Sequence, residues 1–311
     1  MNIQDKMGDK PVILSPMAGY SDKPYRRICR DEGSAASITE FVSSEAIIRN
    51  VKRCFEMLEY GESERPVIFQ IFGYNPDSVL EAAKRIEVFR PDGIDLNMGC
   101  SVKKVAGKGA GSALLKEPQK VKKIIGSLVK NLSVPVSGKI RLGWDKHSMN
   151  YMEIAKILEG EGAWAIFVHG RTKTMSYSAP AMWDEIGEIK NAVSIPVFGN
   201  GDVTSLSEAH SKMEQYNLDG ILIGRAAMGN PWIFSGRKLR DLTLEQRLPL
   251  ILRHMDYIVD FYGEDHGITL FRKHIVKYLK YLPDAADYKN RIMQTKLADE
   301  VRLILTEKIT R

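Results

Sequence analysis

The sequence predicts an α/β fold, a (β/α)8 TIM barrel followed by a small C-terminal all-helical domain. Eight short apolar, β-branched runs recur between helical patterns, and no further run of this kind follows about residue 236. Eight strands alternating with helices over roughly 225 residues are typical of this barrel. An open, doubly wound sheet usually has a glycine-rich dinucleotide fingerprint after its first strand, and residues 15–20 do not form one. The predicted strands comprise residues 12–14, 36–39, 67–71, 93–96, 134–140, 165–168, 195–198 and 220–223.

The helices between these strands have recognisable starts and apolar faces. Asn75 and Pro76 form a cap followed by proline at the first helical position, and another helix opens at Pro118. Apolar residues recur at helical spacing in both helices, namely Val79, Ala83 and Ile86 in the first and Val121, Ile124, Ile125 and Leu128 in the second.

The last quarter of the chain is predicted to be helical, with helices over 245–262, 267–281 and 286–309. Residues 263–267 and Pro283 separate them, and the first helix has one apolar face made of Leu250, Ile251, His254, Ile258 and Phe261. We therefore predict two domains, a catalytic barrel of residues 1–236 and a helical domain of residues 237–311.

Composition narrows the class of protein. Three cysteines among 311 residues share no metal-ligand spacing, which argues against a zinc site or a disulfide framework. Residues 1–10 are polar, and no apolar run approaches the roughly 20 residues of a membrane span. The net charge is +6, and residues 237–311 hold 15 basic against 11 acidic residues. We expect a cytoplasmic protein without a membrane span or a bound metal, with a mild preference for polyanions.

A single thiol stands at the most informative place in the chain. Cys100 lies just past the apolar run 93–96, and a loop after such a strand lies at the rim where these barrels carry out their chemistry. The loop that follows is rich in glycine and basic residues, including Lys103 and Lys104. These flanks favour a functional thiol over a buried structural one.

Polar residues also interrupt or end other predicted strands. Gln70 lies within the run 67–71, Lys139 lies within 134–140, and His169 follows 165–168 directly. A lysine at the end of a barrel strand is costly to bury without an anionic partner. These three residues are therefore candidates for binding a ligand.

Two later loops have the composition of a phosphate site. Asn200, Gly201 and Asp202 follow the seventh predicted strand, and Gly224 and Arg225 follow the eighth. Phosphate sites in these barrels are often built from these two loops. Glycine allows backbone N–H groups to approach the anion, and arginine adds a bidentate positive charge.

Together these motifs resemble the tRNA-dihydrouridine synthases, flavoproteins that reduce uridine in transfer RNA, and most of all their bacterial B-type members. The resemblance extends from about Val12 to the C-terminal helices. It is carried by several motifs in family order, at residues 14–22, 95–100, 139–144, 169–172 and 199–202.

The resemblance implies FMN as cofactor, NADPH as electron donor, tRNA as substrate, and reduction of the C5–C6 double bond of a uridine. Cys100 would be the proton donor and Asn97 would help to orient the base. The expected FMN ligands are Pro16, Met17, Ala18, Gln70, Lys139, His169, Asn200, Gly201, Asp202, Gly224 and Arg225. The expected tRNA contacts are Lys103 and Lys104 beside the thiol, and Arg272, Lys273, His274, Lys277 and Lys280 on a helix face interleaved with Tyr278 and Tyr281.

The sequence departs from the family pattern at Ser101, Met175 and Met182, none of which is an expected flavin ligand. Three alternatives remain open on the residues alone. One is a flavin-dependent reductase or dehydrogenase of a free pyrimidine, which would not need a basic helical domain. Another is a catalytically silent RNA-binding protein, which would bind no flavin. The third is a phosphate-binding barrel isomerase, which would not need Gln70 and Lys139 together.

Overall fold

The structure is a computed structural model that describes residues 3–307. Its centre is a parallel sheet in which neighbouring strands follow the order β1-β9-β8-β7-β6-β5-β4-β2, with the short strand β3 paired to β4. The strands are β1 Val12–Leu14, β2 Ser37–Ile38, β3 Val42–Ser43, β4 Val67–Phe72, β5 Gly93–Met98, β6 Val136–Arg141, β7 Ala165–His169, β8 Val197–Asn200 and β9 Gly220–Ile223. All eight predicted strands are present, and β3 is an addition.

The ends of the sheet meet and nearly close it into a barrel. The N–H of Ala35, next to β2, donates to the carbonyl of Val12 in β1 at 2.9 Å. The hydroxyl of Ser34 accepts from the N–H of Leu14 at 3.0 Å. The predicted barrel is therefore confirmed.

Helices alternate with the strands along the chain, and the first of them precedes β1. They are α1 Ile3–Met7, α2 Lys23–Asp31, α3 Ser44–Ile48, α4 Lys52–Leu58, α5 Pro76–Glu87, α6 Lys103–Ala106, α7 Pro118–Asn131, α8 Tyr151–Gly160, α9 Asp184–Ala192 and α10 Leu206–Tyr216. The side chain of Asn75 accepts from the N–H groups of Asp77 and Ser78, which confirms the predicted cap of α5. The predicted apolar faces of α5 and α7 are buried.

Two strands begin later than predicted because a proline precedes each of them. β6 begins at Val136 and β8 at Val197, two residues after the predicted starts. Pro135 and Pro196 have no N–H to donate to the ladder, and their carbonyls accept from Ile94 and Ile166 at 2.9 Å. Prolines of this kind belong at the entrance of a strand rather than in its interior.

The barrel interior is apolar at its base and polar above it. Ile13, Ile68, Phe167, Phe198 and Leu222 form part of a buried cluster against which α1 packs. Further along the strands, the buried inward-facing residues are polar, namely Gln70, Asp95, Asn97, Ser137, Lys139 and Asn200. A buried polar layer of this kind lowers the stability of the folded protein unless its groups are hydrogen-bonded.

The C-terminal helices are α11 Leu244–Tyr262, α12 Glu264–Tyr278, α13 Ala285–Ile292 and α14 Ala298–Thr306. The prediction that α12 begins at Gly267 is wrong, because Gly263 alone, at φ +78°, turns the chain between α11 and α12. The predicted single helix over 286–309 is two helices, of which residues 308–309 lie outside the described residues. It breaks at 293–297, where the carbonyl of Thr295 accepts from Arg272.

One apolar core continues from the barrel helices into this C-terminal segment. Buried residues of α2, such as Tyr25 and Ile28, belong to the same cluster as Ile258 and Tyr278. On the predicted apolar face of α11, Leu250, Ile251, His254 and Ile258 are buried, and Phe261 is only partly buried. The division into residues 1–236 and 237–311 stays a prediction.

Candidate active site

A cavity of about 740 Å³ opens at the C-terminal ends of the barrel strands. Loops after β1, β5, β7, β8 and β9 contribute to its walls, together with the end of strand β6, as expected for the catalytic end of this fold. The predicted site residues that line it are Pro16, Met17, Ala18, Asn97, Cys100, Lys139, His169, Asn200, Gly201, Asp202, Gly224 and Arg225. Residues from distant parts of the sequence therefore meet in one place.

The thiol of Cys100 lies in the wall of the cavity, partly buried, just after β5. The N–H groups of Gly99 and Cys100 donate to Oδ1 of Asn97 at 3.2 and 2.9 Å. Burial raises the pKa of the thiol, and the N–H of Val102 and the charge of Arg141 oppose that shift without reversing it. The thiol therefore carries its proton near neutral pH, as a general acid must.

Lys139 projects from β6 into the same cavity and is 8% exposed. Its ammonium group donates to Oδ1 of Asn200 at 3.2 Å. Burial lowers the pKa of Lys139 to about 8, although the negative charge of Asp95 acts in the opposite direction. No carboxylate of residues 3–307 forms an ion pair with Lys139, so the ammonium group is available to an anionic ligand.

His169 lies at the end of β7 and is neutral. Burial lowers its pKa well below the ordinary value, and the positive charges of Lys139, Arg141 and Arg171 add to the effect. Its Nε2 is 3.2 Å from a guanidinium nitrogen of Arg171. A guanidinium only donates, so Nε2 accepts and the ring proton is on Nδ1.

Asp202 joins two arginines at the predicted phosphate end. A guanidinium nitrogen of Arg171 lies 2.5 Å from one of its oxygens, and one of Arg225 lies 2.8 Å from the other. Burial opposes ionisation of Asp202, but hydrogen bonds from Arg171 and Ala181 and the charge of Arg225 outweigh it and hold its pKa below the ordinary range. Asp202 therefore holds the guanidinium groups of Arg171 and Arg225 in place. Its assignment as a flavin ligand stays a prediction.

Several lining residues were not candidates in the sequence analysis, among them Arg141, Arg171 and Tyr177. The ring of Tyr177 stacks near His169 at 6.2 Å, with the guanidinium carbons of Arg141 and Arg225 at 5.7 and 4.9 Å from its centroid. Arg141 and Arg171 lie in motifs on which the family resemblance rests, so the sequence could have identified them as site residues. Tyr177 lies on the loop after β7 and has no such signal.

Gln70 does not line the cavity. It is fully buried, and its amide donates to Asp95 and accepts from Asn97. Its assignment as a flavin ligand stays a prediction.

The predicted tRNA contacts lie outside the cavity and differ in exposure. Lys103, Lys104 and Lys277 are exposed. Arg272 is partly buried and bound to Thr295, and the ammonium group of Lys273 donates to the carbonyl of Gly19 at 2.5 Å. The side chains of Arg272 and Lys273 are therefore engaged in contacts within the protein.

Two residues expected on the RNA-binding face of α12 are in the core. His274 and Tyr278 are fully buried, and the hydroxyl of Tyr278 is 2.9 Å from Nδ1 of His254. The expectation that Tyr278 stacks on RNA is therefore wrong, because this side of α12 packs against α11 and α2. Tyr281 is 55% exposed, with Lys280 and Arg240 near its ring.

A family model described as Dihydrouridine synthase matches residues 13–311. The chain belongs to the dihydrouridine synthase family. Enzymes of this family are oxidoreductases, so the predicted family and enzyme class are confirmed. Among residues 3–307, no group of three or more His, Cys, Asp and Glu side chains is placed to hold a metal ion. No helix in the same range is long and apolar enough to cross a membrane.

Relatives within the dihydrouridine synthase family are similar over most of their length. The chain is 40% identical to tRNA-dihydrouridine synthase B of Pseudomonas aeruginosa, covering 91% of this chain and 89% of that protein. It is 38% identical to tRNA-dihydrouridine synthase B of Pasteurella multocida, over 86% and 83% of the two chains. It is 36% identical to a probable tRNA-dihydrouridine synthase of Rickettsia prowazekii, over 89% and 88%.

A solved structure supports the fold. Histamine dehydrogenase from Rhizobium sp. 4-9 superposes with a TM-score of 0.55 at 13% identity, covering 82% of this chain and 51% of that chain. At this identity the similarity shows the fold alone.

Proposed function

We propose that this member of the dihydrouridine synthase family reduces a uridine of tRNA, with FMN as cofactor and NADPH as electron donor. The observation that carries the proposal is that a protonated thiol, Cys100, and a buried ammonium group, Lys139, line the same cavity. A barrel with a purely structural interior needs neither.

The residues around the cavity fit FMN. Its volume, about 740 Å³, lies within the usual range of cofactor pockets, about 300–1,000 Å³. Gly201 has φ +143°, and a Cβ there would lie 2.6 Å from Cβ of Ala181, so its backbone must remain bare. Gly201, Gly224, Asn200 and Arg225 would hold the phosphate and ribityl chain.

The isoalloxazine ring would lie against the loop after β1 and beside Lys139. Pro16, Met17 and Ala18 supply an apolar wall there. When bound, the flavin supplies two-electron chemistry, transferring a hydride that originates in NADPH. The positive charge of Lys139 would stabilise a negatively charged reduced ring, which accounts for a lysine that is costly to bury.

The reaction adds a hydride to C6 and a proton to C5 of the uracil ring, while NADPH becomes NADP⁺. Cys100 would donate the proton to C5 and take another from solvent afterwards. Asn97, which also lines the cavity, would orient the base while its Oδ1 holds the backbone of Cys100. His169 would contact the cofactor or the base as a neutral ring.

The uridine must leave its stack to enter such a cavity, which costs a few kcal/mol. Contacts to phosphates outside the cavity can offset this cost. The exposed lysines Lys103 and Lys104 stand beside Cys100, and Lys277 stands on α12, so these three are the strongest candidates for phosphate contacts. We assign residues 1–236 to catalysis and residues 237–311 to tRNA binding. We place the protein in the cytoplasm because its proposed substrate is tRNA.

The test begins with the purified protein, which should absorb near 450 nm and release FMN when denatured. NADPH should bleach that absorbance, and tRNA lacking dihydrouridine should restore it in the absence of oxygen. A free pyrimidine that restores it equally well would favour a reductase of small substrates. A colourless protein that neither binds added FMN nor oxidises NADPH would refute the proposal.

A further inference from the structure

A continuous chain of hydrogen bonds runs through the barrel interior to the backbone of Cys100. The hydroxyl of Ser137 donates to Oδ1 of Asp95 at 2.8 Å, and Nε2 of Gln70 donates to Oδ2 of Asp95 at 2.8 Å. Nδ2 of Asn97 donates to Oε1 of Gln70 at 2.9 Å. Oδ1 of Asn97 then accepts from the N–H of Cys100.

The two ends of the chain determine the direction of every bond in it. The carboxylate of Asp95 only accepts, so Gln70 must turn its NH₂ group toward Asp95 and its carbonyl toward Asn97. A backbone N–H only donates, so Asn97 must turn its carbonyl toward Cys100 and its NH₂ toward Gln70. The requirements from the two ends give the same orientation for each of the two amides.

We infer that Asp95 is a positioning residue for Cys100, acting through the amides of Gln70 and Asn97. Asp95 is fully buried and does not line the cavity, so it acts on the thiol only through its neighbours. The inference rests on the proposed function in that the thiol it positions is the proton donor. With the acceptor at position 95 removed, both amides can rotate and the backbone of Cys100 loses a fixed partner.

The energetics of Asp95 are consistent with a positioning role. Burial raises its pKa to about 6, although hydrogen bonds from Gln70 and Ser137 and the charge of Lys139 act in the opposite direction. The carboxylate therefore remains ionised at neutral pH at some cost to the folded state. An apolar side chain would fill this space without that cost but would leave Gln70 without its acceptor.

The test uses the full-length holoenzyme with Asp95→Leu, Asp95→Asn and a matched control, Ser137→Ala. Asparagine keeps an acceptor for Gln70, whereas leucine removes it. Ser137→Ala removes a buried hydrogen bond to the same carboxylate on the side away from Cys100. The first readout is the rate of Cys100 alkylation by iodoacetamide against pH, followed by peptide mapping. The second is single-turnover reoxidation of the reduced flavin by tRNA.

We expect Asp95→Leu to change the alkylation rate of Cys100 at least about fivefold and to slow reoxidation at least about tenfold, since a misplacement of about 1 Å can cost about 10²-fold. Asp95→Asn and Ser137→Ala should stay within about threefold of wild type in both. If Asp95→Leu does not fold, Gln70→Met breaks the same chain, and its alkylation profile decides.

Wild-type alkylation and reoxidation in Asp95→Leu, or an equal loss in Ser137→Ala, would overturn the inference. The alkylation arm does not depend on the reaction. If Cys100→Ala turned over normally, the proposed role of the thiol would fail, while an altered alkylation profile in Asp95→Leu would still support the positioning of its backbone.

Discussion

Replacing Lys139 with methionine should stabilise the protein and weaken its hold on the flavin. Methionine keeps most of the buried aliphatic length and removes the charge. Burial lowers the pKa of Lys139 from 10.5 to about 8. Each unit of difference between the pKa values of the unfolded and the folded protein corresponds to about 1.4 kcal/mol. The charge on the ammonium group therefore costs the folded protein about 3 kcal/mol at pH 7.

The sign of this effect follows from proton binding. The unfolded chain binds the proton of Lys139 more tightly than the folded protein does, because the folded pKa is the lower one. The destabilisation is therefore complete below about pH 8 and disappears as the pH rises toward 10.5. The stabilisation of Lys139→Met relative to wild type should follow the same course.

The assay is urea unfolding of the flavin-free protein between pH 7 and 10, together with the FMN content of the purified variant. The exposed Lys123→Met on α7 is the matched control and should change neither quantity. A lower free energy of unfolding for Lys139→Met at pH 7, or a gain that does not depend on pH, would refute the energetic argument. Undiminished FMN content and an unchanged rate of flavin reduction would refute the role in cofactor binding.

Three further predictions concern residues around the cavity and on α12. Lys277→Ala should weaken tRNA binding and reduce its salt dependence by about one phosphate contact. Lys273→Ala removes the hydrogen bond to the carbonyl of Gly19 beside the cavity, so it should slow turnover and leave the salt dependence of tRNA binding unchanged. Equal salt slopes for the two variants would contradict this difference. Arg171→Ala should expose the loop 172–181 to proteolysis and release flavin, because Arg171 holds that loop through two backbone carbonyls; a wild-type cleavage pattern would count against it. Because the pKa of His169 is lowered well below its ordinary value, the rate should show no inflection from this residue between pH 6 and 8, and an inflection in that range that is lost in His169→Asn would show otherwise.

Much of the barrel and its site can be predicted from local sequence, for a physical reason. Strands buried on both faces are short apolar runs, and polar residues that follow them lie at one rim of a parallel barrel. Cys100, His169 and Arg225 are therefore identifiable from the order of residues along the chain. Proline positions explain the strand starts that were predicted two residues early.

Contacts between distant segments could not be predicted in this way. The partner of Lys273 is Gly19, 254 residues away, so its role beside the cavity depends on how α12 packs on the barrel. The same packing buries His274 and Tyr278, which a helical-face argument places with the lysines. The engagement of Gln70 by Asp95 depends on the pairing of β4 with β5, which places them side by side.

The central claim is that Cys100 supplies the proton, and single-turnover reoxidation of the reduced flavin by unmodified tRNA tests it most directly. Cys100→Ala should retain FMN and accept electrons from NADPH normally, because neither step requires the thiol. Its reoxidation should slow by about 10²–10⁴-fold, the usual contribution of a positioned acid, while the partly buried Cys54→Ala should behave as wild type. A Cys100→Ala enzyme that reoxidises at the wild-type rate would contradict the claim and assign the proton to another group.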